Sequence, residues 1–284
     1  MRMVPSEAAA DIRLLVLDID GTIADESNRI QDSVAQAIHA AQRRGVAVAI
    51  ATGRRYQSSL SAYDSIGSTL PLICYEGALI RDRNTGFVHR HWPLEPRAAA
   101  QVLEYTERLK LGDRLSVQLH IHDDIYISNL NGASVDYFED SQVEPIVVGD
   151  LRPLLNRAIT KVLVLSDEAQ VIERLSSHVK NSHSHTQVKQ YKSNSLLEAF
   201  HPTVNKRLAV TYLAEEIMAL RRENVMAIGD DFTDIEMLQY AGIGVAMGNA
   251  PVAVKACADW VTTTIEKDGV SRAIARWILH GQPG

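Results

Sequence analysis

Asp18 and Asp20 stand two residues apart at the end of a short apolar run, Leu14-Leu15-Val16-Leu17, and are followed by Gly21 and Thr22. If the extended geometry of the run persists, residues i and i+2 share a face and the two carboxylates converge. Acids held so close repel one another and ask for a cation, and oxygen-only donors suit magnesium. The plainer reading is a strand end with two solvated acids. Two further apolar runs end in polar groups of matching type. Val46 to Ala51 leads into Thr52, Gly53 and Arg54, and Val225 to Gly229 leads into Asp230 and Asp234. Lys206 stands upstream of the third run, where a helix is expected to open. Three such endings in one sheet make a single site by convergence.

To converge, these ends must lie along one edge of one sheet. Short, fully apolar runs read as strands buried on both faces, as in a parallel sheet. Ligands of open α/β sheets bind outside the carboxyl ends of the strands. The intervening pattern fits. A helix is expected from Asp32 to Arg44, capped by Asp32 or Ser33 and stopped at Gly45. A second follows to Ile66, then a strand over Pro71 to Tyr75. This alternation predicts an α/β fold with a doubly wound, mostly parallel sheet.

From Arg81 the style changes. Arg83 to Gly86 reads as a hairpin turn, Pro96 to Lys110 as a helix, and Leu115 to His122 as a half-exposed strand. In that strand Leu115, Val117, Leu119 and Ile121 line one face. Asp123-Asp124 turns the chain into Ile125 to Ile127. Short strands follow over Pro145 to Val148, Thr160 to Leu165 and Thr186 to Tyr191, with a helix over Asp167 to Val179. This is an α+β module at 82–192, inserted into a core formed by 1–81 and 193–284. The parallel style then resumes. A helix over Asn205 to Leu220 has Leu208, Leu213 and Ile217 among its apolar positions. Strands at Val225 to Gly229, Ile243 to Ala246 and Asp259 to Val261 precede a closing helix over Val270 to Leu279.

The 284 residues leave room for two domains, and a net charge of −6 gives no basic field for nucleic acid or an anionic membrane. No apolar run approaches the length of a membrane span. Met1 to Ala10 lacks the apolar core of a secretory signal, so a cytoplasmic setting is expected. Cys74 and Cys257 then read as two buried thiols, with a disulfide left open.

Asp18-Ile19-Asp20-Gly21-Thr22, Ala51-Thr52-Gly53-Arg54, Lys206 and Gly229-Asp230-Asp231-Phe232-Thr233-Asp234 together resemble the four motifs of the haloacid dehalogenase (HAD) superfamily of phosphatases. The insert resembles the type IIB cap of its Cof-type branch. The resemblance implies that Asp18 attacks phosphorus and becomes an aspartyl phosphate, while Asp20 protonates the leaving alcohol and later activates water. It implies that Thr52 binds a phosphoryl oxygen by its hydroxyl and Lys206 by its charge. Mg2+ would be held by Asp18, the backbone carbonyl of Asp20, and Asp230, with Asp234 in a supporting role and Asp231 no ligand. Gly53 and Arg54 fall in the phosphate-binding turn, where Arg54 and Arg55 either clamp a phosphate or face water. Asn249 matches a position that approaches the site in similar proteins; alone it reads as a loop-closing amide.

The implied substrate is a small phosphorylated metabolite, plausibly a sugar phosphate, and the protein a monomer or homodimer with no nucleic-acid or membrane partner. The alternatives are a phosphomutase or phosphotransferase on the same scaffold, and a phosphometabolite-binding regulator without turnover. A phosphoacceptor signalling domain fits less well, because an inserted cap would cover its aspartate. The chain departs from the family pattern at three places. Glu76 replaces the usual Asn, where an acid repels phosphate unless paired or turned away. Thr233 stands where Asn is common, and Arg207 where Gly follows the motif lysine. In the insert, His120 and His122, with His178, His183 and His185, read as exposed cap residues or substrate contacts, and less readily as a zinc site.

Overall fold

The computed structural model describes residues 11–25, 27–141, 143–179, 185–191 and 194–279. The expectations for Met1 to Ala10, for His183 and for the side chain of His185 lie outside the described residues. The chain forms two compact units, one of Met1–Arg90 with Asn205–Gly284 and one of His91–Val204.

The first unit begins with β1 (Leu14–Leu17), α1 (Asp32–Arg43), β2 (Ala47–Ile50), α2 (Tyr56–Ser65), β3 (Leu72–Cys74), β4 (Leu79–Arg81) and β5 (Val88–His91). Every residue of β1 is buried, as its unbroken run of Leu and Val requires of a central strand. α1 buries Val34, Ile38 and Ala41, the spacing of one helical face. Its N-cap is Gln31, and no side chain caps it, so Asp32 is the first helical residue rather than the cap. At the other end Gly45 takes φ +83°, the left-handed stop.

The second unit contains α3 (Pro96–Leu109), β6 (Leu115–Ile121), β7 (Asp124–Ile127), α4 (Val135–Ser141), β8 (Ile146–Val147), β9 (Ile159–Ser166), α5 (Ala169–Val179), β10 (His185–Tyr191) and β11 (Asn194–Phe200). Its sheet runs β10-β11-β9-β6-β7-β8, antiparallel except for the β7–β8 pair. α3 and α5 pack on one face through Val102, Leu103, Ile172 and Leu175 against Leu119, Val162 and Leu197. The expected half-exposure of β6 is corrected here: Ser116, Gln118 and His120 on its other face are buried as well. On that face Tyr137 of α4 packs against both the Ile125–Ile127–Phe138 cluster and the Leu163–Leu165–Leu196 cluster. His120 and His122 do not share a strand face, because β6 stops at Ile121 and His122 enters a turn at φ 52°. His178 stacks on Tyr105 with ring centroids 4.6 Å apart.

The first unit resumes with α6 (Lys206–Thr211), β12 (Val225–Gly229), α7 (Ile235–Tyr240), β13 (Ile243–Ala246), α8 (Val252–Cys257), β14 (Trp260–Val261) and α9 (Gly269–Trp277). Its main sheet runs β14-β13-β12-β1-β2, parallel throughout. β3 extends the parallel run through a bridge between Ala51 and Ile73, then pairs with β4 in a separate sheet of three strands. The single helix expected over Asn205 to Leu220 ends at Thr211 and continues as a π-helix over Tyr212–Ile217. A wider turn rotates the apolar face, so Leu213 is buried while Ile217 is exposed. Leu208 is exposed too, on the side of α6 away from buried Lys206 and Ala209. Cys74 is buried, but Cys257 is half-buried, and both are free thiols. Among the described residues no helix is long and apolar enough to cross a membrane.

Candidate active site

β2, β1 and β12 are parallel neighbours, so their carboxyl ends open on one edge. Chain order reverses at β1, and such a switch point opens a crevice beyond the strand ends. Asp18 continues the ladder, its N–H donating to Ile228 O at 3.1 Å, and its side chain is buried. The chain then turns tightly: Thr22, Ile23 and Ala24 all donate their N–H groups to Ile19 O. Asp20 consequently sits exposed, in a different environment from Asp18. Gly21 takes φ +73°, and a Cβ there would run into the Asp230 carboxylate. That position requires glycine twice over.

Lys206 is the buried hub. Asn205 caps α6 by accepting from Leu208 N–H at 2.8 Å, which sets Lys206 as the first helical residue. Its Nζ donates to Asp18 Oδ1 and to Asp234 Oδ1, each at 2.6 Å, and stands 3.8 Å from Glu76 Oε2. Burial disfavours the ammonium charge, but Asp18, Asp234 and Glu76 outweigh it and hold its pKa well above the ordinary lysine value. Burial likewise pushes the Asp18 carboxyl well up; Lys206 opposes this, and Asp234 and Asp20 add to it.

Asp234 also accepts from the N–H groups of Asp230 and Asp231, at 2.9 and 3.0 Å, which fixes the loop after β12. Asp231 is the N-cap residue of that turn. Asp230 accepts from Thr22 Oγ1 at 3.0 Å and from Asn249 Nδ2 at 3.3 Å. Burial and the nearby Asp234 raise its pKa to about 7. Asn249 both approaches the acids and closes a loop: it donates to Gly21 O at 2.8 Å and accepts from Ile265 N–H at 3.2 Å.

At the end of β2, Thr52 is buried, and its Oγ1 accepts from Arg54 N–H at 3.2 Å. Arg54 grips Asp20 with two bonds, Nε to Oδ2 at 2.9 Å and Nη2 to Oδ1 at 2.5 Å, and also donates to Asn28 Oδ1 at 2.6 Å. Asp20, Gly21 and Asn249 border a cavity of about 650 Å³ that Asp25, Ser27, Ile265 and Glu266 complete.

Asp18, Asp230 and Asp234 each offer a carboxylate oxygen within 4.8 Å of the others. Hard oxygen donors are what Mg2+ takes, and the raised Asp18 and Asp230 pKa values mark acids short of positive charge, so the residues fit that ion. The Asp20 carboxylate is outside this cluster and belongs to Arg54. Besides the Asp20–Arg54 pair, two contacts were not anticipated from sequence. Thr22 bonds Asp230, although it was visible as the end of the Asp-Ile-Asp-Gly-Thr run, and Glu76 pairs with Lys206.

The profile of the haloacid dehalogenase-like hydrolases matches residues 15–274, and the chain belongs to that family. It is a phosphatase of the Cof-type branch, a phosphoric monoester hydrolase. It is 30% identical over 271 residues to the 5-amino-6-(5-phospho-D-ribitylamino)uracil phosphatase YitU of Bacillus subtilis, covering 93% of this chain and 97% of that one. The crystal structure of TM0651 from Thermotoga maritima superposes with a TM-score of 0.80 at 28% identity, covering 93% of this chain and 97% of that one. The HAD subclass IIB sugar phosphatase BT4131 gives 0.77 at 23% identity, covering 92% and 97%, a likeness of fold.

Proposed function

We propose that the protein is a magnesium-dependent phosphatase of small phosphorylated metabolites, with sugar phosphates the favoured class, working through an aspartyl phosphate on Asp18. The observation that carries this reading is the buried Asp18 carboxylate, held at 2.6 Å by Lys206 at the switch point of the sheet. An Asp18 oxygen attacks phosphorus and the bond to the leaving alcohol breaks, while Asp20 gives that alcohol a proton. Water then attacks the phosphoenzyme, losing a proton to Asp20, and inorganic phosphate leaves with Asp18 regenerated. Thr52, the Gly53–Arg54 turn and Lys206 orient and neutralise the phosphoryl oxygens. Asn249 steadies the loop on the far side. Arg54 must loosen its grip on Asp20 before that proton moves, and an arriving phosphate offers the guanidinium another anion. Bound Mg2+, held by Asp18, Asp230 and the Asp20 carbonyl, would neutralise phosphoryl charge, with Asp234 orienting the acids.

The 650 Å³ cavity beside Asp20 is of the size that takes a small leaving group. The inserted unit is read as the specificity module, and the sugar phosphatase of like fold supports the substrate class. A magnesium-supplemented screen of phosphorylated metabolites, read by phosphate release, tests the reading. Asp18→Asn is expected to lose turnover while keeping the fold; equal rates for variant and parent would overturn the nucleophile.

A further inference from the structure

Of the acids Asp18, Asp20, Asp230 and Asp234, only Asp20 is exposed. Its side chain is 64% open to solvent, so packing does not choose its rotamer; the fork of Arg54 does. Arg54 is the better held of the two, with a side chain 16% exposed. Two of its nitrogens meet the Asp20 oxygens, and the third is engaged elsewhere. Arg54 Nη1 donates to Asn28 Oδ1 at 2.6 Å and to Ser58 O at 3.5 Å. A guanidinium is flat and rigid, so fixing Nη1 also fixes the plane and bearing of the arms that reach Asp20.

The turn that carries Asn28 holds together without its side chain. Asp25 Oδ1 accepts from Ser27 N–H at 2.9 Å, from Ser27 Oγ at 2.6 Å and from Arg29 N–H at 3.0 Å. Asn28 N–H donates to Asp25 O at 2.9 Å, and Ala24 bridges Ile30. Asn28 itself takes φ 60°, a left-handed backbone that asparagine and glycine accept more readily than other residues. The loop is therefore closed by Asp25 and by backbone, while the Asn28 carbonyl oxygen is committed to Arg54.

We infer that Asn28 is a positioning residue for proton transfer. By pinning Nη1 it keeps the guanidinium, and through it the Asp20 carboxylate, in place while an arriving phosphate competes for the other arms. The inference rests on the phosphatase reading, in which Asp20 protonates the leaving alcohol, and adds a residue that acts only through Arg54. Leaving groups of unequal need test it. Nitrophenolate departs without a proton and a sugar alkoxide does not, so only the sugar phosphate depends on where Asp20 stands. Parent, Asn28→Gly, Asn28→Asp and Asp20→Asn are compared with magnesium present, on p-nitrophenyl phosphate and on the sugar phosphate best hydrolysed in the metabolite screen. The readout is the ratio of the two kcat/KM values, in which any loss of folded enzyme cancels. Asn28→Gly keeps the left-handed turn and removes the acceptor. It is expected to lose about tenfold on the sugar phosphate and hardly anything on the nitrophenyl ester, against the roughly 10²–10⁴ that acid catalysis supplies. Asn28→Asp keeps an acceptor and should hold the parent's ratio, while Asp20→Asn should fall most steeply on the sugar phosphate.

The parent's ratio in Asn28→Gly, beside a lowered one in Asp20→Asn, overturns the inference and leaves the acid standing. A ratio lowered as far in Asn28→Asp as in Asn28→Gly overturns it too, because the acceptor is then not the cause. Equal losses on both substrates in Asp20→Asn overturn the acid and the inference with it. A parent that turns over neither phosphate overturns the functional reading as a whole.

Discussion

Thr22 donates its hydroxyl to Asp230 Oδ1 at 3.0 Å, tying the loop after β1 to the loop after β12 across 208 residues. Thr22 is fully buried, so the bond is protected from water, and it counteracts the burial that raises the Asp230 pKa. Partners of this kind hold a metal-ligating carboxylate in orientation. Thr22→Val keeps the shape and removes the donor. The expected result is a magnesium half-saturation raised about tenfold with kcat at saturating magnesium largely kept. A magnesium titration of initial rates checks it.

Asp230 gives the metal-free protein a particular pH response. Its carboxyl binds a proton more tightly folded than unfolded, since its pKa is raised from 3.8 to about 7. The associated stability is full below the unfolded pKa and is lost as pH rises through about 7. Magnesium should reverse this by displacing the proton, so its stabilising effect grows with pH up to that point. Melting curves with chelator and with magnesium, for parent and Asp230→Asn, read the difference. The asparagine variant should show a flatter profile in chelator and a smaller magnesium effect.

Lys206→Met should be costly to the fold. It leaves Asp18 and Asp234, both buried, without the ammonium that each now meets at 2.6 Å. Stripping one partner from a buried ionic cluster costs on the order of 3 kcal/mol. Urea unfolding measures the loss. Adding Asp234→Asn to the same chain should recover part of it, because one of the two stranded charges is then gone.

Gly21→Ala should act on both backbone and site. The φ of +73° is unfavourable for alanine, and the new methyl meets the Asp230 carboxylate. Expected outcomes are a lower melting temperature and a weaker magnesium response, seen in the same thermal scan with and without the ion.

Sequence patterning reaches the first unit's sheet more readily than its details. β1, β2 and β12 are unbroken apolar runs, and a run too short for a helix and flanked by polar turns has few other fates. β11 was not anticipated, because Asn194 to Phe200 mixes Leu, Glu and Ala, which suit a helix as well as a strand. The short helices α4 and α8 lack the length that makes periodicity legible. The π-turn after Thr211 follows no local signal, and it misplaced Ile217. Within the site, residue types at strand ends pointed to Asp18, Thr52 and Asp230, and the opening of a helix pointed to Lys206, which the fold sets against Asp18. What a single chain hides is pairing across distance: Asp20 with Arg54, Thr22 with Asp230, and Glu76 with Lys206.

Of the two neighbours that fix the register of β1, β2 is encoded close by and β12 more than 200 residues later. A ribosome therefore releases Asp18 early and must finish most of its work before Asp230 can join it. Until then the nascent polypeptide holds the Asp18 carboxylate without Lys206, Asp230 and Asp234, the groups that surround it in the folded chain. Completion of the sheet on the β12 side of β1 should accordingly be a late event, slow beside the collapse of the insert.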